Sequence, residues 1–467
     1  MRHRFARLVA VALILSTVAC GSGDGPEFIW FRVMHAMPDS PNLRITYEDY
    51  VFRRSVGYGT STTEGGESLL SRTGPTARLT AEYFEAGGSL SDTWLNLDVP
   101  VEKDHTSTVV FAGGFDDPQT ITVVSPRLER PLGAMHVQFV HAALDHGPLD
   151  IYVTAPDTEL TSTAPLATLQ PRSHTGILEI PFGETRIRLT PAGSLDVLMD
   201  SGEVDFPESE APTGPGMQWL FAIAPSVVPG PSPLLLMGST GRDTFRFRNA
   251  GTPATLRAMH ALPDTPPVDV VIAATTPITL FTGLEYGTRT PLLAAPLGDV
   301  PVAFREVGED GEVIATRTAA FDVAQQYSAF LIGPLEEPTI LFDGSQARSV
   351  VTEAKFRFAN LAPDSQFFSV YQTRTADETR SASNLLIRDL RFGVSTGHIV
   401  RTPGDYFLTI TKRFYENQED AATAPDTVVF GPMPLELVGG DVFTWAILAP
   451  QNEGEPEVLL QFDDRDP

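Results

Sequence analysis

The sequence predicts an all-β chain of four tandem antiparallel β-sandwiches, and three observations carry that reading. One short pattern returns four times at the spacing of a small domain. Almost every patterned segment is 5 to 7 residues long, alternates apolar with polar, and is rich in Val, Ile, Thr, Phe and Tyr, while helical periodicity is nearly absent. The 38 Gly and 39 Pro residues fall between these segments as turn formers.

The pattern is clearest from Leu256 to Ile272, around Met259-His260-Ala261-Leu262-Pro263-Asp264. It recurs without a gap at Phe31 to Tyr47 around His35 and Asp39, at Val137 to Val153 around His141 and Asp145, and at Phe356 to Gln372 around Asn360 and Asp364. His35, His141, His260 and Asn360 lie 106, 119 and 100 residues apart. That period is too long for a solenoid turn or for a propeller blade of about 40 to 50 residues, and it suits a sandwich with its own core.

At the N-terminus, residues 1–19 combine an Arg-bearing start, the apolar run Leu8 to Leu15, and small residues before Cys20. This reads as an export signal, too short in its apolar part to span a bilayer permanently. The small residues before Cys20 resemble the lipobox of bacterial lipoproteins, with Thr17 departing from the usual Leu. The resemblance implies lipidation of Cys20, the only cysteine, and hence a membrane anchor. Gly21 and Ser22 lack the retaining Asp, which points to the outer membrane. Residues 20–26, Cys-Gly-Ser-Gly-Asp-Gly-Pro, read as a flexible tether.

Repeat one spans 27–127. Its motif strand Phe31 to His35 breaks at a Pro- and Asp-built turn, and Leu43 to Tyr47 follows. It closes with the hairpin pair Thr106 to Ala112 and Thr120 to Val124 around Gly113-Gly114. Gly65 to Gly88 is the least patterned stretch and reads as a surface loop. Repeat two, 133–239, keeps Leu149 to Val153, Thr185 to Leu189, Trp219 to Ala224 and Leu234 to Met237. Repeat three, 244–343, has Tyr286-Gly287, then Val300 to Phe304, Tyr327 to Ile332 and Thr339 to Phe342. Repeat four, 353–464, has Phe392-Gly393, Tyr406 to Thr411, Phe443 to Leu448 and Val458 to Phe462. The intervening stretches 126–133, 238–243 and 344–353 read as short linkers.

The run His-Ala-x-Pro-Asp, followed by Val-Asp-Val, an aromatic-Gly turn and a Pro-Gly turn, resembles the bacterial domain of unknown function 4397 over nearly the whole mature chain. The likeness is closest at His260, Pro263, Asp264, Asp269, Tyr286 and Gly287. Leu144 replaces the proline in repeat two, Arg44 the second aspartate in repeat one, and repeat four carries Asn360 and Ser369. The resemblance implies exported, immunoglobulin-like β modules without established activity or catalytic residues.

A repeated His near an Asp invites a catalytic or metal reading. With a strand period of two, the His shares a face with Phe31 and Val33, Val137 and Phe139, Leu256 and Ala258. Arg32, Gln138, Arg257 and Arg357 then fall on the opposite face, expected to meet water. The expected role is structural for His35, Asp39, His141, Asp145, His260, Asp264, Asn360 and Asp364, with the histidine buried and hydrogen-bonded to the turn that contains the Asp, because Asn360 can replace a neutral imidazole as a hydrogen-bond partner but not as a zinc ligand or general base. A ligand or metal role stays open at this point. The sequence has no Gly-x-Ser-x-Gly elbow, no His-Glu-x-x-His, no phosphate-binding glycine loop and no cysteine pair. Acidic turns such as Phe115 to Pro118 and Glu309 to Glu312 lack calcium-loop spacing.

The net charge is -26, from 33 basic and 59 acidic residues. Such a balance speaks against nucleic acid as a partner. With those motifs missing and Asn360 at the motif position, no catalytic residue, metal or cofactor is expected. The leading expectation is a non-catalytic envelope lipoprotein, its modules a spacer or an interaction array for protein or polysaccharide. The alternative is a periplasmic or surface protein binding a small ligand, glycan or calcium at a module junction.

Overall fold

The computed structural model describes residues 27–62, 68–72, 74–208, 218–228, 230–240, 242–308, 310–345, 348–363, 367–414, 426–451 and 455–465. The signal segment, Cys20 with its tether, Glu309 and Asp364 lie outside them. Among the described residues the only helical element is the 3-10 turn Leu160–Ser162. Everything else regular is strand, arranged as eight sheets of four or five strands.

The sheets face each other in pairs around four apolar cores. In the first sandwich the motif strand Glu27–His35 runs mid-sheet between the short strands Thr60–Ser61 and Ser68–Arg72 on one side and His105–Gly113 on the other, with Pro118–Pro126 outermost. The facing sheet runs Tyr50–Val56, Leu43–Tyr47, Thr76–Tyr83, Leu95–Pro100. The plan repeats around motif strands Ala134–His141, Ala254–His260 and Ala354–Asn360.

Each motif strand has one parallel neighbour: His105–Gly113, Trp219–Pro225, Gln326–Ile332 and Val442–Leu448 in turn. The remaining ladders are antiparallel, as expected from the short turns. Side-chain alternation carries no strand direction, so this one pairing has no local signature. The face read as apolar does enter each core: Phe31 and Val33, Val137 and Phe139, Leu256 and Ala258, Phe356 and Phe358 are all buried.

Three expectations need correction. Gly65 to Gly88 is not one loop, because Ser68–Arg72 and Thr76–Tyr83 are strands, the second burying Ala77, Leu79 and Ala81 in the core. The stretch 238–243 is a hairpin turn within one sheet and not a linker. Thr244–Phe247 pairs with Leu234–Ser239 and completes the second sandwich, although the repeat boundary at 244 assigns it to the third. Inside that turn Thr240 accepts from the amides of Arg242 and Asp243 at 3.1 and 3.0 Å.

The third correction concerns the polar face. Arg32, Gln138, Arg257 and Arg357 do not meet water; none is more than 5% exposed. A second sandwich covers that face. Met34, Ala36, Val110 and Ala112 of the first sandwich share a cluster with Val140, Ala142, Leu220 and Met237 of the second. Met259, Ala261, Phe330 and Ile332 of the third do the same with Ala359, Leu361, Ala446 and Leu448 of the fourth. The motif strand is thus apolar on both sides because it lies between its own core and an interface.

Candidate functional site: the motif strand and the interface it builds

His35 ends its strand with no exposed surface. Its Nδ1 accepts from the Met37 amide at 3.3 Å, and its Nε2 lies 3.1 Å from the Pro41 carbonyl, to which only an N–H can donate. The ring is therefore neutral with the proton on Nε2. His260 repeats the arrangement, with the Leu262 amide at 3.3 Å and the Pro266 carbonyl at 3.2 Å. His141 donates to the Gly147 carbonyl at 3.0 Å. Each ring thus ties the strand end to the carbonyl six residues on and shapes the turn.

Asn360 does the same work with an amide. Its Oδ1 accepts from the Ala362 amide at 3.1 Å, as Nδ1 does in His35 and His260, and its Nδ2 donates to the Leu390 carbonyl at 3.0 Å; His141 Nδ1 has no donor among the described residues. Burial pushes His35 down to about 3, and lowers His141 and His260 from the ordinary imidazole range. Desolvation is the cause, since the charged form gains no acid partner.

The motif aspartates diverge. Asp39 accepts the Phe115 amide at 3.1 Å and so fastens the turn to the closing hairpin of its own sandwich. Asp264 takes a left-handed backbone, φ 54°, that the tight turn requires. For Asp145 no side-chain bond appears among the described residues, and Asp364 lies outside them.

The aromatic-Gly turn places Tyr58 in the first sandwich where Tyr286 stands in the third. Each stands edge-on to its motif histidine, with ring centres 6.5 and 5.8 Å apart. Each then crosses the interface: Tyr58 Oη donates to Pro225 of the second sandwich, and Tyr286 Oη to Ala449 of the fourth, the latter at 2.5 Å. Repeats two and four have Pro171 and Phe392 at the tyrosine's place, neither with a hydroxyl, so the tyrosine bond runs in one direction within each pair, while Arg172 reaches back to Gln119 of the first sandwich.

The residues three before the motif position cross in both directions. Arg32 reaches the Ser239 carbonyl at 3.2 Å, and Gln138 accepts from Ser125 of the first sandwich at 2.5 Å. In the second pair Arg257 reaches the Asp463 carbonyl at 3.2 Å and Arg357 pairs with Asp343. Equivalent positions on two sandwiches thus grip the second strand of each other's closing hairpin, the arrangement of an isologous interface built within one chain.

Among the described residues no three His, Cys, Asp or Glu side chains come close enough together to hold a metal ion, and no helix is long and apolar enough to cross a membrane. The family model described as domain of unknown function (DUF4397) matches residues 30–152 and 254–371, just over half of the chain. The chain belongs to that family. Each DUF4397 match opens on the motif strand of the first member of a pair and ends within the second strand of the other member.

No curated protein sequence matches the chain. Among solved structures it is similar to the Bacillus anthracis TIE protein at 10% identity and TM-score 0.14, covering 87% of this chain and 66% of that one. A product complex of the multi-modular glycogen-degrading pneumococcal virulence factor SpuA matches at 9% identity and TM-score 0.16, over 62% of this chain and 37% of that one.

Proposed function

We propose that this DUF4397 chain is a non-catalytic cell-envelope lipoprotein. In this reading it is anchored through Cys20 at the outer membrane, and its paired sandwiches form a stiff spacer that presents loops to an envelope protein or a polysaccharide. The observation that carries the non-catalytic part is the use of the motif imidazoles. On His35 and His260 both ring nitrogens are spent on the backbone, so no lone pair remains for a general base or a metal. Asn360 in the same place supports this, because an amide keeps the hydrogen bonds and has no acid–base chemistry near neutral pH.

The anchoring part rests on the sequence before Glu27. Replacing Cys20 with Ser should move the chain from the membrane fraction to the soluble one, and protease treatment of intact cells should then report which face of the membrane the parent occupies. A Cys20→Ser protein that still sediments with membranes would sink the lipoprotein reading.

A small-ligand role is the second reading. The observation in its favour is a cleft of about 480 Å3 where the first three sandwiches meet.

A further inference from the structure

We propose that the outer edge of Val458–Asp463 in the fourth sandwich takes up a strand from another protein, whose arginine reaches across the seam to the Tyr286 and Gly287 carbonyls of the third. The inference rests on the interaction-array reading and names the chemistry of the partner. What carries it is the second sandwich, where the same edge is already filled from within the chain.

There Thr244–Phe247 pairs with the outer side of Leu234–Ser239 and sets Arg246 opposite Met237. From that place Arg246 donates across the seam to the Gly59 and Tyr58 carbonyls of the first sandwich, at 2.9 and 3.0 Å. Every residue of Leu234–Ser239 is buried.

The fourth sandwich presents the same edge bare. Val458–Asp463 is the last strand of its sheet, none of its residues is buried, and among the described residues no strand pairs with its outer side. Leu460 is the counterpart of Met237: they pair with Ala446 and Ala222, which lie beside the residue before the motif position in each sandwich. The receiving turn is also the same. Gly59 and Gly287 each donate to the carbonyl of the motif histidine at 2.8 Å, with φ of 75° and 72°. A Cβ placed on Gly59 would lie 2.7 Å from Arg246 Nε, whereas on Gly287 it would meet within 4 Å only Leu460, at 3.8 Å. The space that a guanidinium fills in the first pair is therefore open in the second. Among the described residues the Tyr286 and Gly287 carbonyls accept no hydrogen bond, and the nearby Arg289 turns instead to the Asp463 carbonyl and the Phe462 ring.

Edge strands are ordinarily guarded by register shifts, prolines or cations. Tyr50–Val56, Ile278–Leu284 and Leu385–Arg391 carry such shifts, and Thr427–Leu437 has two prolines. Val458–Asp463 pairs with its inner neighbour in unbroken register and contains no Pro, Lys or Arg. Such an edge offers main-chain hydrogen bonds to an extended guest. Charge then selects a cation: Asp264 and Glu285 are exposed beside Tyr286, in a chain of net charge -26. A guanidinium fork reaches two carbonyls at once, where an ammonium serves as a point charge.

Fluorescence anisotropy of the lipid-free mature chain with a labelled, end-blocked peptide Asp-Thr-Phe-Arg-Val-Arg-Asn tests this. The peptide is residues 243–249 with Phe247→Val, because Gln461 stands where Gly238 leaves room for that ring. It should bind and slow amide exchange in a zone centred on 458–463. Lys in place of the peptide's first arginine should weaken binding at least ~fivefold, and methylating its ladder-forming amides should abolish it. Gly287→Ala should weaken binding about tenfold by occupying the guanidinium's place; if that variant does not fold, the peptide variants decide. No binding at about 1 mM peptide, equal binding of the Lys peptide, or protection away from 458–463 would each overturn the assignment. Self-association of the chain through this edge without peptide would also overturn it, by making the guest a second copy. The Cys20→Ser fractionation reports on anchoring alone, so the envelope reading stands or falls separately.

Discussion

Arg257 and Arg357, each three residues before the motif position of its own sandwich, face one buried carboxylate. Asp464 lies 3.8 Å from the first and 3.9 Å from the second, and it also accepts from Thr444 at 2.7 Å. None of these three charged residues is more than 5% exposed. Two buried cations therefore share an anion at the seam between the third and fourth sandwiches, Arg357 having Asp343 as its closer carboxylate partner.

Removing that anion should be costly. Asp464→Ala is expected to destabilise the third and fourth sandwiches by about 3 kcal/mol, since Arg257 loses this carboxylate and keeps its desolvation penalty while Arg357 retains Asp343. The triple replacement of Arg257, Arg357 and Asp464 by Met, Met and Leu should recover most of the loss. Thermal melts of the full chain would show both effects as a shift confined to one transition; equal melts for Asp464→Ala and parent would refute this account.

His260 and Asn360 predict an ordering of substitutions. His260→Ala strands the Leu262 amide and the Pro266 carbonyl and opens a cavity, a loss of about 2 to 4 kcal/mol. His260→Asn should cost less, because Asn360 already shows an amide satisfying the same turn amide. Urea denaturation of the three proteins ranks them, and an Asn variant as unstable as the Ala variant would contradict the equivalence.

The histidines also set an acid limit. His35 binds its proton only near pH 3 when folded, but near the ordinary value of roughly 6.5 when unfolded. Below about 6.5 the unfolded chain therefore holds more protons, and stability falls with decreasing pH until about 3 at up to ~1.4 kcal/mol per pH unit. Burial lowers His141 and His260 in the same direction, so their losses add to it below the unfolded value. His35→Asn should flatten the first sandwich's share, measurable as a shallower dependence of the melting temperature on pH between 6.5 and 4.

Separated halves of a pair should find each other. Expressed alone, 27–127 exposes Met34, Val110 and Ala112, and 133–247 exposes Val140, Leu220 and Met237. Mixed, they are expected to form a one-to-one complex on a sizing column. Tyr58→Phe should weaken it by about 1 kcal/mol through loss of the bond to Pro225. Monomers that ignore one another would show that the shared cluster is not an interface of consequence.

Much of this was legible in the residues. Leu43 to Tyr47 matches the observed strand end to end, and the closing hairpins lie where alternation and Gly turns put them. The burial of the motif histidines followed from period two alone. What failed was the exposure of Arg32, Arg257 and Arg357, read from charge. The counter-signal was present in the neighbours: Met34 and Ala36, Val140 and Ala142, Met259 and Ala261, Ala359 and Leu361 are all apolar on that same face. An Arg amid such residues belongs to a covered surface, where its carbonyl and carboxylate partners come from a strand far away in sequence. The parallel pairing and the cleft arise from long-range assembly, which no local window contains.

Face-to-face packing gives the array a parity. Each sandwich has one sheet back that only another sandwich covers, and Tyr58 and Tyr286 sit on the first member of each couple while the second offers Pro225 or Ala449. Odd and even modules are therefore not interchangeable, and the unit that can be added or deleted without baring an apolar wall is two modules long. A chain cut to three would carry one unmatched back, and a second copy of itself would be the surface that fits it.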